Sequence, residues 1–191
     1  AARVAAAFAA LLLTQVLPYP PDSGPKIKTY HVIKYLAQRH RVTLVAFVRD
    51  TDKPEYIAHL KTLCERVITV PIQRAASRDL VFLGKSLLSG QPWMMLRDER
   101  PEMRAALAEL AATSQFDIVH ADQLNMGQYA LPFPSGRKVL DLHNPLSVLY
   151  TRTSDAQSSA NPMKYLLMRD WPLLKRYEAE IFTRTGQTKW V

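Results

Sequence analysis

Three polar segments of the chain carry side chains that are suited to ligand binding or proton transfer, and each follows an apolar segment. They are Asp22-Ser23-Gly24, His120-Ala121-Asp122-Gln123 and His143-Asn144. Imidazole titrates near neutral pH, so His120 is suited to acid or base catalysis or to holding a substrate hydroxyl group. We predict that His120 is catalytic and that Asp122, His143 and Asn144 bind the substrate.

The loop around Gly24 is suited to an anionic ligand. It precedes a basic amphipathic helix that opens at Lys26, with Pro25 as the helix-entry residue. Backbone N–H groups at a helix N-terminus and the positive end of the helix dipole favour anions. We therefore predict that Asp22, Ser23, Gly24 and Lys26 contact a phosphate-bearing ligand. The alternative is a turn that the neighbouring prolines merely stiffen.

The other candidate residues also have structural interpretations. His120 is equally compatible with a hydrogen bond to a neighbouring loop. Asn144 precedes Pro145, which suits a helix cap, so the structural interpretation is favoured for His143 and Asn144. Packing against the loop is likewise favoured over ligand stacking for Tyr19.

Short apolar segments that alternate with helical periodicity define the elements that must position these residues. Strands are predicted within residues 11–17, 42–48, 66–72, 116–120 and 137–142, with residues 92–95 as a connector between two helices. A long helix is predicted from Pro162 to about Thr185, with a kink or restart at Pro172. This alternation predicts an α/β fold, a Rossmann-like parallel sheet with helices on both faces. All three polar segments would then emerge at one edge of the sheet.

Composition narrows the function further. The chain has 191 residues and a formal net charge of +8, so anionic partners are favoured, but the basic residues are too dispersed for a nucleic-acid reader. Cys64 is the only cysteine, and no histidine has metal-ligand spacing, so no disulfide and no metal site are predicted. The Gly-x-Gly-x-x-Gly fingerprint is absent, which argues against a dehydrogenase.

One segment is compatible with a lipid surface. The longest apolar run, residues 4–13, is far shorter than the roughly 20 residues that span a bilayer, so no transmembrane helix is predicted. A basic amphipathic segment could rest on anionic lipid. Its apolar residues are Leu80, Val81, Leu83, Leu87 and Leu88, with Arg74, Arg78 and Lys85 flanking them and Trp93-Met94-Met95 behind. Packing of these apolar residues into the core is the favoured alternative.

A resemblance to a known family adds to this interpretation. Residues 17–30, Leu-Pro-Tyr-Pro-Pro-Asp-Ser-Gly-Pro-Lys-Ile-Lys-Thr-Tyr, are similar to the opening of family 4 glycosyltransferases of the GT-B fold. The similarity is to bacterial sugar transferases associated with exopolysaccharide systems. Segments 35–44, 116–123 and 139–144 agree with this family as well, so the resemblance covers most of residues 11–185.

The resemblance implies a function and roles. Such enzymes transfer a sugar from a nucleotide-sugar donor to a glycan or lipid-linked acceptor with retention of configuration, without an obligatory metal or another cofactor. This chain would be the N-terminal, acceptor-side domain. Gly24 would approach the donor diphosphate or the acceptor, and His120 would contact the transferred sugar. The family loop usually has paired glycines, whereas Pro25 here removes one backbone donor.

The resemblance also bears on the chain's organisation. We interpret residues 1–10 as a tag-like or altered start, residues 11–185 as the domain and residues 186–191 as a non-native tail. We expect the donor-binding domain, with its pair of glutamates, to be missing, so this chain alone should be inactive. The expected location is cytoplasmic, with peripheral contact to the inner membrane as a further option. The alternative function is a non-catalytic Rossmann-like module that binds a phosphorylated ligand or a partner protein.

Overall fold

The computed structural model describes residues 7–142 and 146–185. Its strands are β1 (Ala9–Thr14), β2 (Arg41–Val48), β3 (Arg66–Pro71), β4 (Ile118–Asp122) and β5 (Arg137–Asp141). All neighbouring strands are parallel, in the order β3-β2-β1-β4-β5. The predicted α/β class with a Rossmann-like parallel sheet is confirmed.

Helices cover both faces of this sheet. They are α1 (Gly24–Ala37), α2 (Pro54–Leu63), α3 (Ala76–Ser89), α4 (Trp93–Asp98), α5 (Pro101–Thr113), α6 (Leu124–Ala130), α7 (Leu146–Asp155) and α8 (Pro162–Thr185). Core residues of one face pack with α1 and α2, and those of the other face pack with α4, α5, α6 and α8. None of the helices in the described ranges is long and apolar enough to cross a bilayer.

The central strand, β1, explains why the chain folds around its apolar run. All residues from Ala9 to Thr14 are buried, and their side chains alternate between the two cores. Thr14 is the last residue of β1 in register with both neighbouring strands. Val16 and Leu17 therefore lie beyond the strand, although the predicted run included them.

Three further predictions need correction. Residues 93–98 form the helix α4 rather than a connector, because Trp93, Met94 and Met95 are buried against the core. Helix α8 extends continuously through Pro172, so the predicted restart there is wrong and the predicted kink stays a prediction. Strand β4 begins at Ile118 and continues to Asp122, where it pairs with β1 and β5. The strand thus continues two residues beyond its predicted end at His120, so Asp122 also lies in the strand.

The lone cysteine lies just after α2. Cys64 is 6% exposed and belongs to the core beneath α1 and α2. Burial raises the pKa of its thiol to about 12, because the charged thiolate is disfavoured away from water. Cys64 is therefore an inert, packed side chain at neutral pH.

Candidate functional site

The carboxyl ends of three neighbouring strands bring polar residues to one level of the sheet. Thr14 of β1 is in register with Asp122 of β4, which is in register with Asp141 of β5. Thr14 shares its strand face with Leu12, which packs in the core beneath α1, because alternate residues of a strand point to the same face. The predicted gathering at the carboxyl edge therefore involves side chains on the α1 side.

Helix α1 is fastened to this edge by a buried hydroxyl–carboxylate contact. The Thr29 hydroxyl is 2.9 Å from the Asp122 carboxylate and 2.9 Å from the Pro25 carbonyl, and Thr29 and Asp122 are each 3% exposed. A hydroxyl has one proton to donate, so these two acceptors share it. This contact places the first turns of α1 above the end of β4.

A second contact ties α1 to β5. Lys28 Nζ donates to Asp141 Oδ1 at 2.6 Å, and the other oxygen of Asp141 is 3.8 Å from His120 Nε2. Lys28 and His120 thus flank one carboxylate, whose side chain is 12% exposed. The sequence pattern does not indicate Lys28 and Asp141 as site residues, because Lys28 lies in the polar stripe of an amphipathic helix. A charged residue at the end of a buried strand was the available clue for Asp141.

The loop before α1 lies open to solvent. Asp22, Ser23 and Gly24 are exposed, and a side-chain atom at Gly24 would meet nothing within 4 Å. Ser23, in an extended conformation, precedes the helix without capping it through its side chain. Lys26 Nζ is 3.2 Å from Asp22 Oδ1, so this lysine already has an anionic partner. An incoming anion would reach the backbone N–H groups of the helix start and compete with Asp22 for Lys26.

An aromatic cluster holds the preceding part of the loop. The Tyr19 ring stacks on His59 with centroids 4.0 Å apart and also contacts Tyr30 and Tyr56. Tyr30 Oη is 2.8 Å from His59 Nε2, which joins α1 to α2. The packing interpretation of Tyr19 is therefore supported by its contacts.

Two polar side chains at the end of β1 are buried without a hydrogen-bond partner among the described residues. They are Thr14, through its hydroxyl, and Gln15, through its side-chain oxygen. Thr14 is fully buried and Gln15 is 7% exposed. Buried polar atoms are normally satisfied, so unsatisfied ones next to Asp122 need a ligand or ordered water to complete them.

The predicted site residues thus fall into three groups. Asp22, Ser23, Gly24 and Lys26 form the loop and first turn, whereas His120 and Asp122 lie in the adjoining strand beneath α1. Gly24 and His120 are at the same end of the molecule, because the Lys28–Asp141 contact connects their elements. His143 and Asn144 lie outside the described residues, so the prediction for them stays a prediction.

A different polar cluster, absent from the predicted site, lies on the opposite face of the sheet. Asp98 is 1% exposed and accepts hydrogen bonds from Arg74 Nη2 at 2.9 Å and from Arg97 Nε at 3.0 Å. The amide of Asn125 donates to its second oxygen. Arg74 follows β3 and Asn125 lies in the first turn of α6, so this cluster also lies beyond the carboxyl ends of strands.

A second buried carboxylate supports α4 from α8. Asp170 is fully buried and accepts the Trp93 backbone N–H at 2.9 Å, while Arg169 lies 3.0 Å from the same oxygen. Burial raises the pKa of Asp170, although these hydrogen bonds and the arginine oppose the shift. Its other oxygen has no hydrogen-bond partner in the described part of the chain.

No group of three or more histidine, cysteine or acidic side chains within residues 7–142 and 146–185 is arranged to hold a metal ion. No protein-family model matches the sequence, and no curated protein or solved structure gives a match either. The family resemblance therefore depends on the sequence motifs described above.

Proposed function

We propose that this chain is the acceptor-side domain of a retaining glycosyltransferase that uses a nucleotide-sugar donor. The observation that carries the proposal is the fastening of an open helix start to the strand that bears His120. Buried Thr29–Asp122 and partly buried Lys28–Asp141 contacts make this connection, and Gly24 remains accessible. The family-like motifs lie on these same elements.

The proposed roles follow from exposure and neighbours. The accessible N–H groups around Ser23 and Gly24 would receive a phosphate, and Lys26 would add a positive charge. His120 would hold a hydroxyl of the transferred sugar, with Asp141 on its far side. Asp122 would act mainly as a positioning residue, because it is buried against Thr29. His143 and Asn144 are proposed to contact the same ligand.

The proposed reaction joins the acceptor to the sugar. The acceptor hydroxyl oxygen bonds to the anomeric carbon while the bond from that carbon to the nucleotide phosphate breaks. The departing phosphate takes the hydroxyl proton, as the family resemblance implies. A second domain that binds the nucleotide is required for this step, since the transition state needs groups on both sides of the cleft.

The alternative proposal is a non-catalytic module that binds a phosphorylated ligand or a protein partner through the same loop. The buried Thr14 hydroxyl and Gln15 side-chain oxygen lack a partner among the described residues, so either a ligand or an ordered water would complete them in both proposals. The two proposals differ in whether the sugar itself is recognised.

A titration followed by amide chemical shifts tests both. The protein is titrated with nucleoside diphosphate sugars, the matching nucleoside diphosphates and inorganic phosphate. We expect the amides of Ser23, Gly24 and His120 to move at millimolar concentrations, with larger His120 shifts when the sugar is present. Equal shifts with and without the sugar would favour the binding module, and unmoved signals would contradict both.

A pair of glycine variants sharpens the test. Gly24→Val fills the open approach to the loop, whereas Gly84→Val places the same side chain in open space on α3. Both positions have room for a side chain, so the fold should persist in both. We expect Gly24→Val to weaken nucleotide-sugar binding about tenfold or more, which corresponds to 1.4 kcal/mol, and Gly84→Val to leave it unchanged.

A further inference from the structure

Helix α3 turns apolar side chains towards solvent. The exposed fractions of Leu80, Val81, Leu87 and Leu88 are 69%, 58%, 63% and 92%. Leu80 and Leu87, like Val81 and Leu88, are seven residues or about two helical turns apart, so all four lie on one side of the helix. With Arg78 and Lys85 they are called the α3 face here. The prediction that these leucines and Val81 pack into the core is wrong.

The side of α3 that packs against the protein is, by contrast, polar at its centre. Ser86 is fully buried, donates its hydroxyl proton to the Gln91 carbonyl and receives hydrogen bonds from Arg169 of α8. The core clusters of described residues contain no residue of α3. Phe82 and Leu83 beside Ser86 are half-buried, whereas the larger apolar stripe of α3 faces solvent.

Helix α8, which contacts α3, also exposes apolar residues. Arg169 joins α8 to α3 through Ser86, and α8 exposes Tyr165 (58%), Met168 (54%) and Trp171 (36%). Tyrosine and tryptophan have an apolar ring and a polar atom, which suits the boundary between lipid and water. Helix α8 therefore exposes apolar residues of its own in addition to those of α3.

The charge of the α3 face indicates its occupant. Arg78 and Lys85 are exposed, whereas Asp79, the one carboxylate of α3, is half-buried. A symmetric contact between two copies would place the cations of one copy close to those of the other, and their electrostatic repulsion would disfavour it. An apolar stripe beside cations instead fits an anionic lipid surface, into which leucines insert while cations meet the headgroups.

We propose that the α3 face docks the protein on an anionic lipid bilayer, with α3 lying in the plane of the membrane surface. This interaction goes beyond the proposed sugar transfer and stands without it, because α3 shares no residue with the candidate site.

Vesicle co-sedimentation tests the proposal. The full chain is mixed with vesicles of phosphatidylcholine alone or of an equimolar mixture with phosphatidylglycerol, at low and high salt. We expect binding to the anionic vesicles only, and weaker binding at high salt because exposed charges are screened. The double variant Arg78→Gln with Lys85→Gln should lower the partition coefficient about 30-fold. Each of the two basic residues contributes about equally to the attraction of the protein to anionic lipid.

Matched variants separate apolar insertion from charge. Leu87→Ser with Leu88→Ser should lower the partition coefficient at least tenfold. The controls are Tyr35→Ser, an exposed apolar residue of α1, and Arg39→Gln with Lys61→Gln, cations away from α3. These should change binding less than threefold, and circular dichroism should show that every variant is folded.

Three outcomes overturn the proposal. They are no binding to anionic vesicles, binding that the α3 variants leave intact, and concentration-dependent self-association without lipid that the same variants abolish. The last result would assign the α3 face to a contact between copies of the chain.

Discussion

Asp122 and Asp98 are buried carboxylates with different hydrogen-bond partners. Asp122 is the last residue of β4, and Asp98 lies beyond the carboxyl ends of the strands, at the end of α4. Asp122 meets the neutral hydroxyl of Thr29 on the α1 side. Asp98, on the other face, is bonded by two guanidinium groups and the Asn125 amide. The first arrangement places a helix beside an open loop, whereas the second fixes α4 with strong, charge-assisted bonds.

This difference shows at which part of the sheet edge a ligand can replace an existing side-chain partner. Around Asp98, two guanidinium groups and an amide converge on one buried anion, so loss of the carboxylate leaves both arginines without this partner. Around Asp122 and Asp141, the cation Lys28 is 30% exposed and lies four residues from Gly24. Water or a ligand can replace its partner at lower cost, which suits a binding edge.

The largest expected effect is at Asp98. Asp98→Ala should lower the free energy of unfolding by about 3–5 kcal/mol, because Arg74 and Arg97 lose a buried partner. Urea denaturation measures the change. As a control, Glu99→Ala removes the exposed Glu99–Arg104 pair and should cost less than about 1 kcal/mol. Equal losses of stability in the two variants would contradict the structural importance of the Asp98 cluster.

Asp122→Ala should cost less, about 1–2 kcal/mol, because the Thr29 hydroxyl retains the Pro25 carbonyl as an acceptor. Asp122→Asn keeps an oxygen acceptor and should recover at least half of the loss. Denaturation measures stability, and the amide shifts of Gly24 report whether α1 has moved. A loss as large as that of Asp98→Ala would refute the distinction between the two faces.

The Lys28–Asp141 contact should be weaker still. A double-mutant cycle with Lys28→Ala and Asp141→Ala should give a coupling free energy of about 0.5–1 kcal/mol, which decreases in high salt. The same cycle on Lys26 and Asp22, whose carboxylate is 56% exposed, should give a smaller value. A salt-independent coupling would mean that this edge is as rigid as the Asp98 cluster.

The smallest effect concerns Asp170 and appears as a pH dependence. Its raised pKa means that the folded protein holds this proton at pH values where the unfolded chain, near the ordinary 3.8, has released it. The contribution of Asp170 to stability should therefore fall as the pH rises from about 4 through the folded pKa. Asp170→Asn should remove that slope, as stability curves measured across this range would show. If the difference in unfolding free energy between the wild type and Asp170→Asn does not change with pH, the predicted role of Asp170 is wrong.

The sequence predicted the strands because a buried parallel strand is locally visible as a short apolar run. It also predicted the edge at which α1 and the ends of β4 and β5 come together, since chain direction determines which strand ends coincide. The Lys28–Asp141 contact joins residues far apart in the chain, so helix periodicity alone assigned Lys28 to solvent. For α3, periodicity correctly identified an apolar stripe, but which side of that stripe faces the protein depends on contacts such as Arg169–Ser86.

The inert thiol of Cys64 makes this chain a convenient host for site-specific labels. With the native cysteine unreactive at neutral pH, a single Leu88→Cys or Ser23→Cys substitution would carry the dye or spin label alone. One probe would report water exclusion when vesicles are added, and the other would report ligand arrival at the loop. Both surfaces can thereby be followed separately in one otherwise unaltered protein.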